Sequence, residues 1–188
     1  MNLMTPEAAA RLAPAEAQTN DEAEILSYSV GECALGQVLV AHSGKGVCAI
    51  LIGADHGELQ ADLAARFPQA QLVASDDLAK VLRFVEAPAE GLHLTLDLRG
   101  TPFQRRPFQR RVWERLRAIP VGRTVTYREL ARWISPLASA RAVASACAAN
   151  PIALAIPCHR VVRSDGDLAD YRWGIERKRI MLRMEAMA

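Results

Sequence analysis

The amino-acid sequence predicts two parts within one chain: an α/β N-terminal subdomain and a mainly α-helical C-terminal subdomain that contains a helix-turn-helix. The length of 188 residues suits one domain or two small ones. Charge divides the chain, because residues 1–98 have a net charge of −9 and residues 99–188 a net charge of +11. Strand patterns fill the first part, and helical patterns fill the second. We therefore predict a flexible tail over 1–24, the α/β subdomain over 25–98 and the C-terminal domain over 99–188.

The acidic part alternates strand and helix patterns. Gly44 and Gly46 punctuate a Ser-Gly-Lys-Gly turn, which between two apolar runs predicts a β-hairpin. Asp55, with Glu58 three residues later, has the form of a capping box that opens a helix to about Arg66. The expected elements are strands at Leu26–Val30, Val38–His42, Val47–Ile52 and Leu92–Leu98 and a second helix at Asp77–Glu86.

The segment PFQRR occurs twice in succession, at 102–106 and 107–111. Only the second copy places its Phe in register with an apolar helix face. That face consists of Phe108, Val112, Leu116 and Ile119. Proline is tolerated in the first turn of a helix but costs about 3 kcal/mol inside one. We therefore expect a helix that begins near Pro107 and a first copy that forms extra loop.

Two short helices follow. Thr126, with Glu129 three residues later, has the form of a capping box and opens a helix through Trp133. The Ser-Pro pair at 135–136 ends that helix, and Ser139–Ala149 predicts another, which is poor in large side chains. The pair has the form of a helix-turn-helix, although an ordinary helical hairpin gives the same pattern.

The C-terminal part has 18 basic residues, of which 17 are Arg and one is Lys178. A basic surface of this strength favours a polyanion as partner, since Lys and Arg that displace phosphate counterions supply most of the non-specific affinity for nucleic acid. An Arg-rich surface that binds nothing has the same composition, so charge alone leaves both interpretations open. Arg141 is the one long cation near the start of the second short helix.

Composition also limits location and cysteine chemistry. No apolar run approaches the ~20 residues of a membrane helix, and residues 1–24 lack the basic head and apolar block of a signal peptide. We therefore expect a cytoplasmic protein without a membrane partner. The four cysteines, at 33, 48, 147 and 158, form no C-x-x-C pair, and no His pair has zinc-ligand spacing. We expect reduced thiols and no metal site.

The most informative segment is 150–162, where an apolar run delivers Cys158 between Pro157 and His159. Thiolate is the reactive form of cysteine, and nearby His and Arg would lower the pKa of Cys158. Neighbours on a regular strand point to opposite faces, so cooperation between thiol and imidazole requires a turn, which Pro157 favours. Glu185 is a candidate to orient the imidazole. On spacing alone, a buried and inert cysteine is the commoner explanation.

The stretch PCHRVV at 157–162, with Asn150 upstream and Tyr-Arg-Trp-Gly at 171–174 downstream, resembles the O6-alkylguanine-DNA alkyltransferase family. Within that family it is most similar to the methyltransferase domain of bacterial adaptive-response proteins. The similarity runs to Glu185, and it extends more loosely over the α/β part from about Ile25. It includes Leu98-Arg99-Gly100-Thr101, Ile119-Pro120, Gly122, Thr126-Tyr127, Arg141-Ala142-Val143 and Ala146. The resemblance implies a small ribonuclease H-like sheet with helices, followed by a winged-helix-like helical subdomain.

The resemblance implies a single-turnover DNA repair reaction, that of a methylated-DNA–protein-cysteine S-methyltransferase. Cys158 would accept the alkyl group of O6-alkylguanine, His159 would be its base through a water molecule, and Glu185 would orient His159. Asn150 would hold the turn that contains the cysteine. Tyr127 would lie beside the flipped base and donate a proton to the leaving guanine.

The implied partner is double-stranded DNA containing O6-alkylguanine, bound by a monomer without a cofactor. An O6-alkyl group is shielded in stacked DNA, so the base must be extruded, and Arg141 would fill the hole that it leaves. A helix of small residues suits the minor groove, which is ~6 Å wide. The implied DNA-binding residues are Arg141, Ala142, Thr126, Arg128 and Ala146, and the implied guanine pocket consists of Tyr171, Arg172, Trp173, Pro157 and Val161.

Three features depart from the family pattern. The second PFQRR copy is an insertion where the two parts join. Asp170 precedes the pocket tyrosine where Gly or Asn is usual, and Asp adopts left-handed backbone angles less readily than Gly. Trp173 lies where some members of the family have a small residue, which implies a narrower pocket. The zinc-binding cysteines and the regulatory helix-turn-helix of adaptive-response proteins have no counterpart, so we expect neither phosphotriester repair nor transcriptional activation.

Three other functions fit parts of the sequence. A non-catalytic relative would bind the lesion and flag it for another pathway, but such relatives lack the cysteine that this chain has as Cys158. A Cys-His-Glu hydrolase would leave the Arg-rich part unexplained. A DNA-binding regulator would use the helix-turn-helix alone and leave Cys158 idle. Transfer of a methyl group to Cys158 separates the repair function from all three.

Overall fold

The computed structural model describes residues 24–76, 94–98 and 107–187. Three sequence predictions fall outside these ranges: the tail before residue 24, the helix over 77–86 and the first PFQRR copy over 102–106. They stay predictions. The described residues form a four-stranded sheet with one helix in the N-terminal part, followed by four further α-helices.

The N-terminal elements confirm three of the four predicted strands, each longer than predicted. They are β1 (Ile25–Cys33), β2 (Gly36–Ser43), β3 (Gly46–Gly53), α1 (His56–Arg66) and β4 (Gln71–Ala74). The β2–β3 hairpin closes with Ser43 opposite Gly46, as the Ser-Gly-Lys-Gly turn predicts. α1 begins where predicted because the Asp55 carboxylate accepts from the Glu58 amide at 3.0 Å.

The strand order in this sheet is β3-β2-β1-β4. The pairs β1–β2 and β2–β3 are antiparallel. β4, which comes after α1 in the chain, is parallel to β1. The sequence analysis missed β4, because only four residues pair and three of them are exposed. Such a strand has no apolar alternation from which to predict it.

Alternation along the strands gives the sheet two buried faces. On β2, Val38 and Val40 belong to one apolar cluster, whereas Leu39 and Ala41 belong to another, as the period of two in a strand requires. The buried leucines of α1 cover the second cluster. The first cluster continues into the helices of the C-terminal part, so the two parts share one core.

The C-terminal elements are α2 (Pro107–Arg117), β5 (Val125–Thr126), α3 (Tyr127–Ile134), α4 (Ala140–Ala148), β6 (Val161–Val162) and α5 (Ile175–Ala186). A reciprocal capping box of Thr126 and Glu129 opens α3, and Ser139 caps α4, so both predicted starts are confirmed. The Trp113 indole of α2 donates to the Ala146 carbonyl at 2.8 Å and fixes α2 against α4. No described helix is long and apolar enough to cross a bilayer.

The sheet edge at β3 forms two single backbone bridges with described residues, and one of them reaches the C-terminal part. Val47 pairs with Leu96, and this bridge is the one pairing that the described part of the predicted 92–98 strand forms. Ile50 pairs with Ile152 through two backbone hydrogen bonds, of 2.9 and 3.0 Å, made with the residues on either side of Ile152. The segment that leads to the candidate nucleophile is therefore hydrogen-bonded to the sheet.

Within the described residues, two non-glycine residues have left-handed backbone angles: Leu154, with φ 66°, and Ala169, with φ 57°. Both lie in loops near Cys158. Asp170, which precedes the pocket tyrosine, has no positive φ, whereas its neighbour Ala169 does. A Cβ in this conformation approaches the following carbonyl oxygen and costs about 1–2 kcal/mol.

We predict that Ala169→Gly stabilises the protein by about 0.5–1 kcal/mol. Glycine removes the left-handed penalty, although it also gains chain entropy in the unfolded state. The measurement is the midpoint of urea unfolding at an unchanged slope. The matched control is Ala138→Gly in the α3–α4 turn, where φ is not positive. That control is expected to be destabilised, and an equal loss at both positions would contradict the prediction.

Candidate active site

Cys158 lies in a turn rather than on a strand, as Pro157 predicts. Residues 158–160 form one turn of 3-10 helix between Pro157 and β6. The proline has no amide hydrogen with which to continue a strand ladder, and the Cys158 amide donates to the Ile156 carbonyl at 2.8 Å. Cys158 and His159 are both buried in this turn.

Asn150 holds this turn from within the core. Its amide nitrogen donates to the Ile156 carbonyl at 2.8 Å and to the Cys158 sulfur at 3.2 Å. Its amide oxygen accepts from the Ile152 amide at 2.9 Å. Asn150 is completely buried, so these bonds are shielded from competing water. One side chain therefore closes the loop and points a hydrogen-bond donor at the sulfur.

His159 is paired with Glu185, as the sequence analysis proposes. The His159 Nε2 and Glu185 Oε1 atoms lie 2.7 Å apart, and both side chains are 1% exposed. Burial lowers the pKa of His159 more than the Glu185 hydrogen bond raises it, so the imidazole is neutral near pH 7. An ionised Glu185 can only accept, so Nε2 holds the proton and Nδ1 keeps its lone pair. Nδ1 is buried and has no hydrogen-bond partner among the described residues.

Glu185 is itself fixed by Arg160 and by the Gly122 amide. The Arg160 Nε and Nη2 atoms donate to the carboxylate at 2.8–3.1 Å, and Nη1 donates to the Ile119 carbonyl. Gly122 N donates to Oε2 at 3.3 Å. Burial raises the pKa of Glu185, but the hydrogen bonds from His159 and Arg160 and the charge of Arg160 outweigh it and hold the pKa at about 2. The carboxylate is therefore ionised at neutral pH.

The thiol of Cys158 is protonated at rest, which corrects the sequence prediction of a lowered pKa. Burial raises the pKa of Cys158, and the Asn150 hydrogen bond, the Lys178 charge and the Tyr171 hydroxyl offset this in part. Arg160, which was expected to help, is turned towards Glu185 instead. A buried thiol needs a base to ionise, because desolvation penalises the charged form.

Two tyrosines surround the sulfur. The Tyr171 hydroxyl is buried without a hydrogen bond of good geometry among the described residues, yet it lies near enough to influence the pKa of Cys158. Burial, followed by the nearby thiols of Cys147 and Cys158, raises the pKa of Tyr127. Both phenols are therefore neutral at pH 7. Each has a proton that it can donate.

The residues predicted to form the guanine pocket differ in their surroundings. Pro157 and Val161 are buried, and the Trp173 ring packs edge-on against Tyr171 with centroids 5.3 Å apart. The Arg172 guanidinium instead binds Asp62 on α1 at 3.2 and 3.3 Å and the carbonyl at the end of α4 at 3.3 Å. This side chain holds the loop of Tyr171 against the N-terminal part, and its place in the guanine pocket stays a prediction.

The predicted DNA-binding residues also differ in exposure. Arg128 and Arg141 are exposed on α3 and α4, and Ala142 is half-buried. Ala146 is 1% exposed, and its carbonyl accepts from the Trp113 indole in the shared core, so its DNA contact stays a prediction. Thr126 is partly exposed and its hydroxyl is engaged with Glu129 at 2.8 Å. The exposed face of α4 consists of Arg141, Ser145 and Ala148.

The sequence analysis missed two side chains of this site. Arg160 was noted as a general positive neighbour, but its pairing with Glu185 joins residues 25 positions apart. Lys178 is completely buried near Tyr171. Its one sequence signal is that it is the single Lys among the 18 basic residues after residue 98.

We predict that Glu185 gives the protein an acid-sensitive share of its stability. Because its folded pKa of about 2 lies below the ordinary 4.5, this share is complete above pH 4.5 and is lost as the pH falls through the folded pKa. Glu185→Gln should lower the free energy of unfolding at pH 7 by about 3 kcal/mol, because Arg160 loses its buried partner.

Urea unfolding at a series of pH values tests this prediction. The difference between wild type and Glu185→Gln should shrink as the pH falls from 4.5 towards 2. Glu176→Gln is the matched control, because Glu176 pairs with Arg179 on an exposed surface of the same helix. A difference that stays constant down to low pH would contradict the assignment.

Comparison with known proteins identifies the family of this chain. Residues 107–187 match a protein-family model that is described as "6-O-methylguanine DNA methyltransferase, DNA binding domain". The bifunctional transcriptional activator/DNA repair enzyme Ada of Escherichia coli (strain K12) is 46% identical over 164 residues, which cover 85% of this chain and 45% of Ada. The inducible methylated-DNA–protein-cysteine methyltransferase of Bacillus subtilis (strain 168) is 35% identical over 128 residues, 65% of this chain and 69% of that protein.

This chain thus spans just under half of the length of Ada, and more than two thirds of the Bacillus protein. Among solved structures, Mycobacterium tuberculosis OGT in complex with DNA matches with a TM-score of 0.69 at 30% identity, over 86% of this chain and 93% of that one. The shared fold has an N-terminal sheet subdomain and a helical C-terminal part. By sequence and by fold, this chain belongs to the O6-methylguanine-DNA methyltransferase family.

Proposed function

We propose that this chain repairs double-stranded DNA by irreversible transfer of the alkyl group of O6-alkylguanine to Cys158, once per protein molecule. The observation that supports this most is the buried pair of His159 and Glu185 beside a thiol that Asn150 orients. The relatives point the same way, because they are named for DNA repair and for methylated-DNA–protein-cysteine methyl transfer.

The reaction begins with loss of the thiol proton. His159 Nδ1 accepts it through a water molecule, and Glu185 stabilises the imidazolium that forms. The thiolate attacks the alkyl carbon, so that the S–C bond forms while the C–O6 bond breaks and its electron pair stays on the guanine. Tyr127 donates its proton to the guanine, and the proton on His159 returns to the phenolate through solvent. The thioether of Cys158 has no route back, so the protein acts once.

Access to the sulfur requires movement of the pocket wall. Cys158 is only 3% exposed, so the alkyl group reaches it when a flipped guanine displaces the ring of Tyr171 or Tyr127. The Tyr171 hydroxyl and the Trp173 indole nitrogen are buried without hydrogen-bond partners among the described residues. Buried polar groups of this kind favour a ligand that bonds them. The bulk of Trp173 favours small alkyl groups.

DNA would bind along α3 and α4, which we propose as the helix-turn-helix of a winged-helix-like domain over 99–188. The exposed face of α4 has small residues and the single cation Arg141, which suits the narrow minor groove. Arg128 on α3 would contact the DNA backbone, and the half-buried Ala142 would lie against the groove. Minor-groove contacts read sequence poorly, so selectivity for the lesion would come from the pocket.

The remaining parts of the proposal concern organisation. The sheet within 25–98 would be a ribonuclease H-like subdomain. The protein would act as a monomer in the cytoplasm, on double-stranded DNA that contains O6-alkylguanine. The hydrogen bonds between β3 and the segment around Ile152 support a sheet that positions the active-site loop rather than one that binds DNA itself.

We predict that a duplex with one O6-methylguanine transfers one methyl group to the tryptic peptide that contains Cys158, and no more on longer incubation. Intact-protein and peptide mass spectrometry measures this. Cys158→Ala should still bind the lesion and should gain no mass. Cys33→Ala, at a half-buried cysteine on β1, is the matched control and should react as wild type does. Tight binding without methylation of wild type, or methylation of another cysteine, would contradict the proposal.

We also predict that Arg141→Ala slows transfer from duplex DNA by about 10–100-fold, because extrusion of a base costs a few kcal/mol that the inserted cation offsets. Transfer from free O6-methylguanine base should not change, because nothing has to be extruded. Single-turnover rates with both substrates measure the difference. Arg132→Ala on the exposed face of α3 is the matched control. Equal slowing with duplex and free base would show that Arg141 acts otherwise.

A further inference from the structure

Lys178 is a charged side chain in the core of the protein, on the inner face of α5. It has no exposed surface, although Lys is among the residue types least often buried. Its Nζ atom donates to the Val161 carbonyl at 2.6 Å and to the Leu168 carbonyl. The same atom lies 5.9 Å from the centre of the Tyr171 ring. The ammonium group thus has two carbonyl acceptors and one aromatic ring around it.

The ammonium has no carboxylate in contact with it among the described residues, since both hydrogen-bond acceptors are neutral carbonyls. A buried charge without a counter-charge costs several kcal/mol. Accordingly, burial lowers the pKa of Lys178, whereas nearby Cys158, Cys147 and Asp170 raise it. Among these groups Cys158 favours the ammonium charge most, and it does so as the thiolate, because a protonated thiol has no charge. Burial of the Lys178 ammonium lowers the stability of the protein, and a role in the chemistry of the Cys158 thiol accounts for it.

The two carbonyls belong to the two segments that meet at the reaction centre. Val161 follows Cys158 by three residues, and Leu168 precedes Tyr171 by three residues. Lys178 therefore joins the segment of the nucleophile to the loop of the pocket tyrosine. Arginine, which supplies every other basic residue after residue 98, presents a rigid planar fork in place of a compact point charge. This geometry explains why the sequence departs from Arg at this one position.

We propose that Lys178 is a positioning residue for alkyl transfer, which fixes the Cys158 segment against the Tyr171 loop and supplies the positive charge beside which the thiolate forms. This inference rests on the proposed function. When His159 takes the thiol proton, a buried ion pair of thiolate and ammonium results. When the S–C bond has formed, the sulfur is neutral and the ammonium has lost its counter-charge. The charged and titratable groups around Lys178 are Cys158 in the 3-10 turn with the adjacent His159, Cys147 in α4, and Asp170 and Tyr171 in the pocket loop.

Two variants separate the charge from the hydrogen bonds. Lys178→Gln keeps a donor for the carbonyls but has no charge, and Lys178→Met has neither. We expect the pH midpoint of the single-turnover transfer rate to rise by about one unit in both variants, with about tenfold slower transfer at pH 7. The affinity for lesion DNA should stay the same. Lys45→Met, at an exposed lysine in the β2–β3 turn, should behave as wild type.

A readout without DNA distinguishes failure of this inference from failure of the proposed function. Iodomethane methylates thiolates directly, and the rate at Cys158 is followed by mass spectrometry. One outcome is that wild type takes no methyl group from DNA, while both variants shift the pH dependence of methylation by iodomethane. The proposed function then fails, and the effect of the Lys178 charge on the Cys158 thiol is supported. If wild type repairs DNA and Lys178→Gln has the wild-type pH midpoint with both reagents, the charge assignment is overturned.

A measurement on the wild type keeps the test independent of how the variants fold. The chain has three lysines, at 45, 80 and 178, so labelled lysine gives few NMR signals to assign. Methylation of Cys158 removes the thiolate and should therefore lower the pH at which Lys178 titrates. The reason is that the effect is mutual: the ammonium lowers the pKa of the thiol, and the thiolate raises the pKa of the ammonium. A Lys178 titration that is identical before and after methylation would overturn the proposal.

Discussion

The ionised carboxylate of Glu185 is the group on which the candidate site depends. It is buried on α5, and a buried carboxylate is tolerated only with good partners. Those partners come from separate segments: His159 and Arg160 from the 3-10 turn, and the Gly122 amide from the loop before β5. Gly122 has φ 71°, and a Cβ there would lie 3.1 Å from the Glu185 carbonyl oxygen. One charge thus fixes α5, the turn of the nucleophile and a glycine loop relative to one another.

The N-terminal sheet contributes to the site without adding a reactive group to it. Its β3 edge holds the loop before Cys158 through the Ile50–Ile152 bridge. On the other side of the site, Asp62 of α1 binds Arg172 in the pocket loop. An exposed ion pair of this kind adds little stability, so its effect is geometric. The sheet therefore supports both the loop of the nucleophile and the loop of the pocket tyrosine.

Local features of the sequence were sufficient to predict local structure. The caps at Asp55, Thr126 and Ser139, the glycine hairpin and the turn at Pro157 each depend on residues within a few positions of one another. The omissions arose where a side chain meets a distant segment. Arg172 was expected in the pocket and binds a residue 110 positions away.

The pKa of Cys158 was misjudged for the same reason. Sequence neighbours indicated a positive environment, but neither the depth of burial nor the use of Arg160 by Glu185 follows from a local pattern. The resemblance to a family assigned roles to residues, because motifs are local. It did not give the burial of Ala146, since that depends on how α4 packs against α2.

In the reaction proposed above the nucleophile is used once, and for such a reaction a raised thiol pKa is an advantage. A permanently exposed thiolate would react with any electrophile or oxidant in solution, and each such event would consume a molecule. Burial keeps Cys158 protonated and nearly inaccessible, while Asn150, His159 and Lys178 are already in place around it. In the proposed reaction, an extruded base would supply the electrophile at a site whose proton acceptor and positive charge need no rearrangement. Selectivity for the lesion and protection of the thiol thus follow from the same burial.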